Sequence, residues 1–129
     1  MIAIDTNVLV RLLTADSLEQ HEISLNMFSS EEIFIADTVI LETEWVLRAV
    51  YGLNPNELSN TLRTVFGLPN VHLDDPQMVA QIVQWHEEGL DFADGFHLAL
   101  SGRCDVLKTF DVQFAKGARH LSSRRVEKA

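Results

Sequence analysis

Two short apolar runs, each ending on an aspartate, constrain the fold of this chain more than any other feature. Residues 1–4 run into Asp5, and residues 106–110 run into Asp111. Apolar runs without polar alternation are typical of parallel strands that are covered on both faces. Because helical segments separate the runs, we predict an α/β protein. The expected architecture is a three-layer α/β/α sandwich with a mostly parallel sheet of four or five strands.

Strand and helix signals alternate along the whole chain. The predicted strands are residues 1–4, 33–36, 71–73, 106–110 and a final edge strand at 119–121. The predicted helices are residues 8–13, 17–29, a segment from a cap at Asp37 or Thr38 to 51, then 55–66, 76–88 and 91–101, with a short helical turn after Asp111. Residues 1–122 are expected to form one domain, and residues 123–129 a short basic C-terminal tail.

Charge is distributed unevenly along the 129 residues. The net charge is −9, which argues against a general nucleic-acid coat protein. Residues 116–129 nevertheless carry five of the ten basic residues and one acid, Glu127: the basic ones are Lys116, Arg119, Arg124, Arg125 and Lys128. Two interpretations stay open for this tail, namely contact with phosphate groups or a solvated, partly disordered terminus.

Composition also bears on where the protein works. A single cysteine, Cys104, excludes an internal disulfide and is typical of a reducing cytoplasm. No basic and apolar segment precedes the first strand, so we expect no secretion signal. The longest uncharged stretches are shorter than a membrane span, and we expect no membrane association.

Acidic residues lie where a parallel sheet would collect them. Asp5 and Asp111 each follow a strand, and ligands of open α/β sheets bind beyond the carboxyl ends of strands. Asp91 and Asp94 lie three residues apart at the start of a predicted helix, on neighbouring parts of one face. A simpler interpretation also fits these aspartates, because aspartate is a favoured helix N-cap and interacts well with the positive end of the helix dipole.

Two glutamates of the third helix receive different predictions. Glu42 shares a helical face with Val39, Trp45, Val46, Ala49 and Val50. A carboxylate in such an apolar stripe is either buried in an ion pair or lines a cleft. Glu44 precedes Arg48 by four residues, which predicts an exposed structural ion pair. Trp45 and Trp85 are interpreted as core or interface residues.

Four sequence blocks, taken in order, resemble the signature of PIN-domain ribonucleases, and among these the VapC-type toxins of bacterial toxin–antitoxin pairs. The blocks are Asp5-Thr6-Asn7, the segment 41–48 around Glu42, Asp91-Phe92-Ala93-Asp94, and Thr109-Phe110-Asp111. Asp-Thr-Asn alone is a weak motif, whereas all four blocks in order within a chain of this length are specific. The resemblance extends from Ile2 to about Leu121.

The resemblance implies roles for individual residues. Asp5, Glu42, Asp94 and Asp111 match the family's catalytic metal-binding acids, and Asp91 matches a frequent accessory acid. Thr6, Asn7 and Thr109 match polar neighbours that support the acids. The implied cofactor is Mg²⁺ or Mn²⁺, hard cations that prefer carboxylate oxygens. One departure is Gly95, since many relatives have alanine directly after the acid.

The sequence therefore predicts a metal-dependent endoribonuclease that hydrolyses RNA phosphodiester bonds, acting as the toxin of a VapBC-type system in the cytoplasm. The implied partners are an RNA substrate, a VapB-type antitoxin and a second copy of the chain. The dimer is expected on apolar residues of helices 54–66 and 75–88: Leu58, Leu62, Phe66, Met78, Ile82 and Trp85. The target RNA, the antitoxin's identity and the number of metal ions are left open.

Other classes fit less well. Haloacid-dehalogenase-like phosphohydrolases need a second aspartate two residues after the first, where this chain has Asn7. Response-regulator receivers need two adjacent acids after the first strand and a phosphoacceptor after the third, and neither is present. The alternative that remains is a catalytically silent PIN-like module that binds RNA or a protein.

Overall fold

The computed structural model describes residues 1–129, which divide into two compact units, residues 1–76 and 77–129. Helices and strands alternate in both units, and every strand pair is parallel. The predicted α/β class is therefore confirmed. The five strands belong to two sheets, with three strands in the first unit and two in the second.

The first unit is built on a three-stranded sheet of order β1-β2-β3. Its elements are β1 (Ile2–Ala3), α1 (Thr6–Leu13), α2 (Leu18–Ser30), β2 (Ile33–Phe34), α3 (Asp37–Ala49), α4 (Pro55–Phe66) and β3 (Val71–His72). Ile33 on the central strand pairs with Ile2 on one side and with Val71 on the other. Ile33 is fully buried, as expected for the middle strand of a parallel sheet.

The second unit contains a two-stranded sheet and three helices. Its elements are α5 (Pro76–Glu87), α6 (Phe92–Leu100), β4 (Leu107–Thr109), α7 (Val112–Leu121) and β5 (Val126–Lys128). Strands β4 and β5 pair in parallel, with Leu107 opposite Val126. Phe92 is at the centre of the buried side chains and meets the rings of His86 and Phe96 edge-on, with centroids 5.5 and 5.6 Å apart.

Helix starts agree well with the sequence signals because they depend on local hydrogen bonds. Asn54 and Glu57 form a reciprocal capping box with Pro55 in the first turn of α4, as predicted. Asp37 is not a cap: α3 begins at Asp37, and its N-cap is Ala36, which makes no side-chain capping bond.

The C-terminal stretch differs from the sequence prediction. Residues 119–121 do not form an edge strand; they are the last turn of α7, a ten-residue helix rather than a short turn. The final strand is β5, which lies within the predicted basic tail and pairs along its length with β4. The proposed domain boundary at residue 122 stays a prediction.

The exposure of apolar residues removes the sequence argument for a dimer on α4 and α5. Leu58, Leu62, Ile82 and Trp85 are buried in the protein's own core, and Phe66 and Met78 are half-buried. Helix α2 also carries apolar side chains in solvent: Leu18, Ile23 and Leu25 are exposed, whereas Ser24 and Phe28 are buried. No helix is both long and apolar enough to cross a membrane.

Candidate functional site

The first unit contains an acidic cleft formed by the start of α1 and the outer face of α3. Its volume is about 430 Å³, and its lining residues are Asp5, Thr6, Asn7, Thr38, Val39, Glu42 and Val46. Asp5 and Glu42 come from separate predicted motifs, and the structure brings them to one cleft. Thr6 and Asn7, the polar neighbours of Asp5, line the same cleft.

Asp5 is the N-cap of α1. Its Oδ1 accepts a hydrogen bond from the backbone N–H of Val8 at 3.0 Å. Asp5 is therefore a helix cap, as the simpler interpretation predicted, and the capping hydrogen bond uses only one of its two carboxylate oxygens. Oδ2 is left for another partner at the positive end of a helix, where negative charge is favoured.

Glu42 agrees with one of its two sequence predictions, whereas the predicted exposure of Glu44 is wrong. Glu42 is exposed and lines the cleft, so the cleft alternative is confirmed. Glu44 is only 2% exposed and accepts a hydrogen bond from Arg48 Nε at 2.8 Å. The predicted pair with Arg48 is therefore present, but on the core side of α3.

The outer face of α3 is apolar without being buried. Trp45 is 54% exposed and Val50 is 65% exposed, whereas Ile40, Thr43 and Leu47 form the buried face. Trp45 was interpreted as a core or interface residue; its exposure excludes the core, and an interface role stays a prediction. Trp85, in contrast, is 6% exposed and donates its indole N–H to the carbonyl of Leu121 at 3.3 Å.

The second unit carries three aspartates in its own acidic group. Asp91 caps α6 by accepting the backbone N–H of Asp94 through Oδ2 at 3.1 Å. Asp111 caps α7 by accepting the N–H of Phe114 through Oδ1 at 3.0 Å. The N–H of Asp111 donates to Thr109 Oγ1 at 3.0 Å, so Thr109 fixes the backbone that carries this acid.

Asp94 lies between these two caps and is electrostatically penalised. Partial burial raises the pKa of the Asp94 carboxyl, and the negative charges of Asp91 and Asp111 raise it further. His97, one turn later on α6, lowers the pKa of Asp94 by a smaller amount. The charges of Asp91 and Asp111 therefore disfavour ionisation of Asp94, and a bound cation would offset that effect.

Gly95, the departure from the family pattern, has a packing explanation. It is buried in α6, and a Cβ atom at this position would lie 3.1 Å from Cγ2 of Ile82 on α5. This spacing is tighter than ordinary van der Waals contact. The missing methyl group lets α5 approach the helix that carries Asp94.

The chemistry of these side chains fits a hard divalent cation, although no complete ligand set is present in the structure. No three His, Cys, Asp or Glu side chains lie close enough together to hold a metal ion. Asp5, Asp91 and Asp111 each use one oxygen for capping and keep the other, and Glu42 is exposed to solvent. Carboxylate oxygens of this kind are the ligands that Mg²⁺ and Mn²⁺ prefer.

A third group of aspartates escaped the sequence analysis. Partial burial raises the pKa of Asp37, and the charges of Asp74 and Asp75 add to the effect. Oδ1 of Asp37 is buried and has no hydrogen-bond partner. Sequence gives little sign of this group because Asp37 lies more than thirty residues from its two neighbours in the chain.

Comparison with known proteins gives one match. The family model described as "PIN domain" matches residues 2–120, which is most of both units. Neither a curated protein nor a solved structure matches the chain.

Proposed function

Because this chain belongs to the PIN domain family, we propose that it is a metal-dependent endoribonuclease. PIN domains are generally nucleases, and such nucleases typically use divalent metal ions. We propose Asp5, Glu42, Asp94 and Asp111 as the metal-binding catalytic acids, with Asp91 as an accessory acid. Thr6, Asn7 and Thr109 support them, and RNA is the substrate.

One observation supports this assignment most strongly: no lysine or arginine of the chain pairs with any of these acids. Other acids are paired, for example Glu44 with Arg48 and Glu127 with Lys108. An acid without a cationic partner in the protein is available to an external cation. Such unpaired acids in the family's motif positions are what a metal-dependent hydrolase needs.

The chain's own residues have separable tasks in this mechanism. Asp5, Glu42, Asp94 and Asp111 would hold a divalent ion, which would supply a water molecule of lowered pKa and offset charge on the phosphodiester. Asp5 and Asp111 each accept a helix N-terminal N–H with one carboxylate oxygen, which holds the side chain in place. Little side-chain entropy would therefore be lost when a ligand binds the other oxygen. Thr109 fixes the backbone of Asp111 through a hydrogen bond. Burial and neighbouring charges raise the pKa of Asp94, and a cation beside this carboxylate would lower the pKa again.

Cleavage of single-stranded RNA tests the proposal. The wild-type protein should cut RNA in Mg²⁺ or Mn²⁺ and leave it intact in EDTA. Asp5→Ala, purified identically, should be inactive under both conditions and so excludes a contaminating nuclease. RNA that stays intact with a folded wild-type protein in both metals would reject the enzymatic proposal.

We further propose that the enzyme is a VapC-type toxin that works in the cytoplasm and is restrained by a VapB-type antitoxin. An arginine delivered by such a partner suits unpaired carboxylates, because its planar fork matches their geometry. Expression alone should slow bacterial growth, Asp5→Ala should relieve the effect, and co-expression of the neighbouring gene should restore growth. A metal-active enzyme whose expression is harmless would leave the nuclease proposal standing and remove the toxin proposal.

A homodimer also belongs to the proposal, on a surface different from the one expected from sequence. Trp45 on α3 and Val50 at its C-terminal end are large apolar side chains that are exposed to solvent. Exposed aromatic residues of this kind are enriched at interfaces. Light scattering at micromolar concentration should give twice the 14.6 kDa of one chain, and Trp45→Ala should reduce that mass.

A catalytically silent binding module is the second candidate, and the absence of a close group of three metal ligands favours it. Such a module would bind RNA or protein equally well in Mg²⁺ and EDTA and would show no turnover. The cleavage experiment above separates the two candidates directly.

A further inference from the structure

The C-terminal part of the second unit contains a basic pocket that lies outside the acidic groups. Its volume is about 350 Å³. The polar residues that line it are Arg119, Ser122, Ser123, Arg124, Arg125 and Glu127. Three arginines and one glutamate give it a formal charge of +3 − 1 = +2, whereas the whole chain carries −9.

One of the three arginines has a structural task. Arg124 Nη1 donates to the carbonyls of Leu98 and Ala99 at 2.6 Å each, which closes the C-terminal end of α6. Its guanidinium lies over Gly102, where a Cβ atom would approach it to 2.9 Å. No carboxylate neutralises Arg124 in these contacts, so its positive charge still contributes to the pocket.

The other two arginines, Arg119 and Arg125, differ in whether a side chain of the protein already pairs with them. Arg119 is exposed in the last turn of α7 and has no partner side chain. Arg125 pairs with Glu127, which also pairs with Lys108 at 2.9 Å. Hydrogen bonds from Lys108 and Arg125 lower the pKa of Glu127 to about 2, so this acid stays ionised and partly masks Arg125.

Two serines add hydrogen-bonding groups beside the arginines. Ser122 Oγ accepts the backbone N–H of Arg124 at 3.1 Å, which leaves its hydroxyl proton for another acceptor. Ser123 is exposed and lines the same pocket. Arginine guanidinium and serine hydroxyl groups together are the typical donors to phosphate oxygens in nucleic-acid complexes.

We propose that this pocket binds backbone phosphate groups of the RNA, away from the site of cleavage. The inference rests on the nuclease function proposed above, which names the polyanion. Asp111 is the N-cap of α7 and Arg119 lies in its last turn, so eight residues at 1.5 Å each separate them by about 12 Å along the helix axis. At about 3.4 Å per phosphate in a stacked strand, the pocket lies three or four nucleotides from Asp111.

A purely structural interpretation exists for Arg119, because a cation at a helix C-terminus stabilises the helix dipole. The two interpretations predict changes in different measured quantities. A dipole role changes thermal stability and leaves RNA binding alone. A phosphate role changes binding and its dependence on salt, since each phosphate contact releases counterions.

The test is equilibrium binding of a short, fluorescently labelled single-stranded RNA to the full chain in EDTA, over a series of KCl concentrations. Arg119→Gln/Arg125→Gln should weaken binding at low salt by at least about 10-fold. The slope of log K against log[KCl] should become shallower by about 1.4, or 0.7 per lost phosphate contact. A single-stranded DNA of the same sequence should show the same change, because phosphate contacts do not read the 2′-hydroxyl.

Two further variants make the test decisive. Arg103→Gln removes one positive charge, half of the change in the double variant, from an exposed arginine of the same unit that does not line the pocket, and it should leave the slope unchanged. Glu127→Gln unmasks Arg125 and should strengthen RNA binding. Arg124 is left intact because its loss would disturb α6.

Several outcomes would overturn the proposal. Equal effects of the Arg103 and Arg119/Arg125 variants would indicate only a general charge effect. An unchanged RNA slope together with lost binding of a polyglutamate peptide would assign the pocket to an acidic protein partner instead. Because binding in EDTA needs no turnover, a protein that binds RNA through the pocket but never cuts it would reject the nuclease function and leave the pocket's phosphate specificity intact.

Discussion

Two groups of three aspartates in this protein look alike electrostatically and differ in how their carboxylates are used. In Asp91/Asp94/Asp111, burial and two neighbouring charges raise the pKa of Asp94. In Asp37/Asp74/Asp75, the same causes raise the pKa of Asp37. Electrostatic penalty alone therefore does not identify the functional group.

The difference lies in the hydrogen bonds. Asp91 and Asp111 are held by helix N-termini and each keep an oxygen for a ligand. Asp37 instead has a buried Oδ1 without any partner, and Asp75 already interacts within the protein. Oriented acids with free oxygens are suited to binding a cation, whereas an unsatisfied buried oxygen lowers the stability of the fold.

The rate of RNA cleavage should show the largest difference between variants of the proposed metal-binding acids and variants of the group around Asp37. Glu42→Gln, Asp94→Asn and Asp111→Asn should each reduce RNA cleavage by about 100-fold or more, because each removes a proposed metal ligand. Asp37→Asn and Asp74→Asn should stay within a few-fold of the wild type. Initial rates on one RNA substrate measure all five variants. An inactive but folded Asp37→Asn would mean that the comparison assigns the groups wrongly.

A smaller effect is expected in metal-dependent stability. Mn²⁺ at 100 times its Kd should add about 2.7 kcal/mol to the free energy of unfolding, which raises the Tm by several degrees for a chain of this size. Asp94→Asn should abolish this rise, whereas Asp37→Asn should retain it. Thermal melts with and without Mn²⁺ provide the measurement. An equal loss in both variants would show that the metal does not distinguish the groups.

The smallest effect concerns the metal-free protein, in which both groups should behave alike. A carboxyl whose pKa is raised above 3.8 in the folded state binds its proton more readily there than in the unfolded state. The contribution of Asp94 and Asp37 to the free energy of unfolding should therefore fall as the pH rises through the range above 3.8, and it should recover on acidification. Asp94→Asn and Asp37→Asn should each stabilise the neutral, metal-free protein by at most about 1 kcal/mol, since water screens both groups.

Glu127 provides a control with the opposite sign. Its pKa is lowered from 4.5 to about 2, so its contribution to stability is present above pH 4.5 and is lost as the pH falls toward 2. Glu127→Gln should therefore lower stability slightly at neutral pH. Urea denaturation across this pH range checks both signs, and identical trends for Glu127 and Asp94 would contradict the electrostatic account.

Features that depend on local hydrogen bonds could be predicted from sequence. The strand–aspartate junctions at Asp5 and Asp111 and the capping box at Asn54 are all present, because the residues that make them are at most a few positions apart. The alternative role of Asp5 and Asp91 as helix caps also proved real. Capping uses one oxygen of each carboxylate and leaves the other for a ligand, so the two predictions are compatible.

Features that depend on tertiary contacts could not be predicted. Helix α3 has apolar residues on both faces, so periodicity did not reveal that the face of Trp45 and Val50 is exposed and that of Ile40 and Leu47 buried. Glu44 was expected in solvent because its four-residue spacing from Arg48 is typical of an exposed ion pair, but it lies on the buried face. Strand β5 depends on pairing with β4, nineteen residues earlier in the chain. The raised pKa of Asp37 likewise depends on the charges of Asp74 and Asp75, which are distant in sequence.

We propose that the acids in the family's motif positions bind a divalent metal ion, and this is the proposal on which the nuclease function depends. Titration calorimetry with Mn²⁺ on the wild type, Asp5→Ala, Asp94→Asn and Asp37→Asn tests it directly. We expect Mn²⁺ to bind the wild type and Asp37→Asn, and to lose most of its affinity for both Asp5→Ala and Asp94→Asn. Unchanged Mn²⁺ affinity in either Asp5→Ala or Asp94→Asn, with the variant folded, would contradict it.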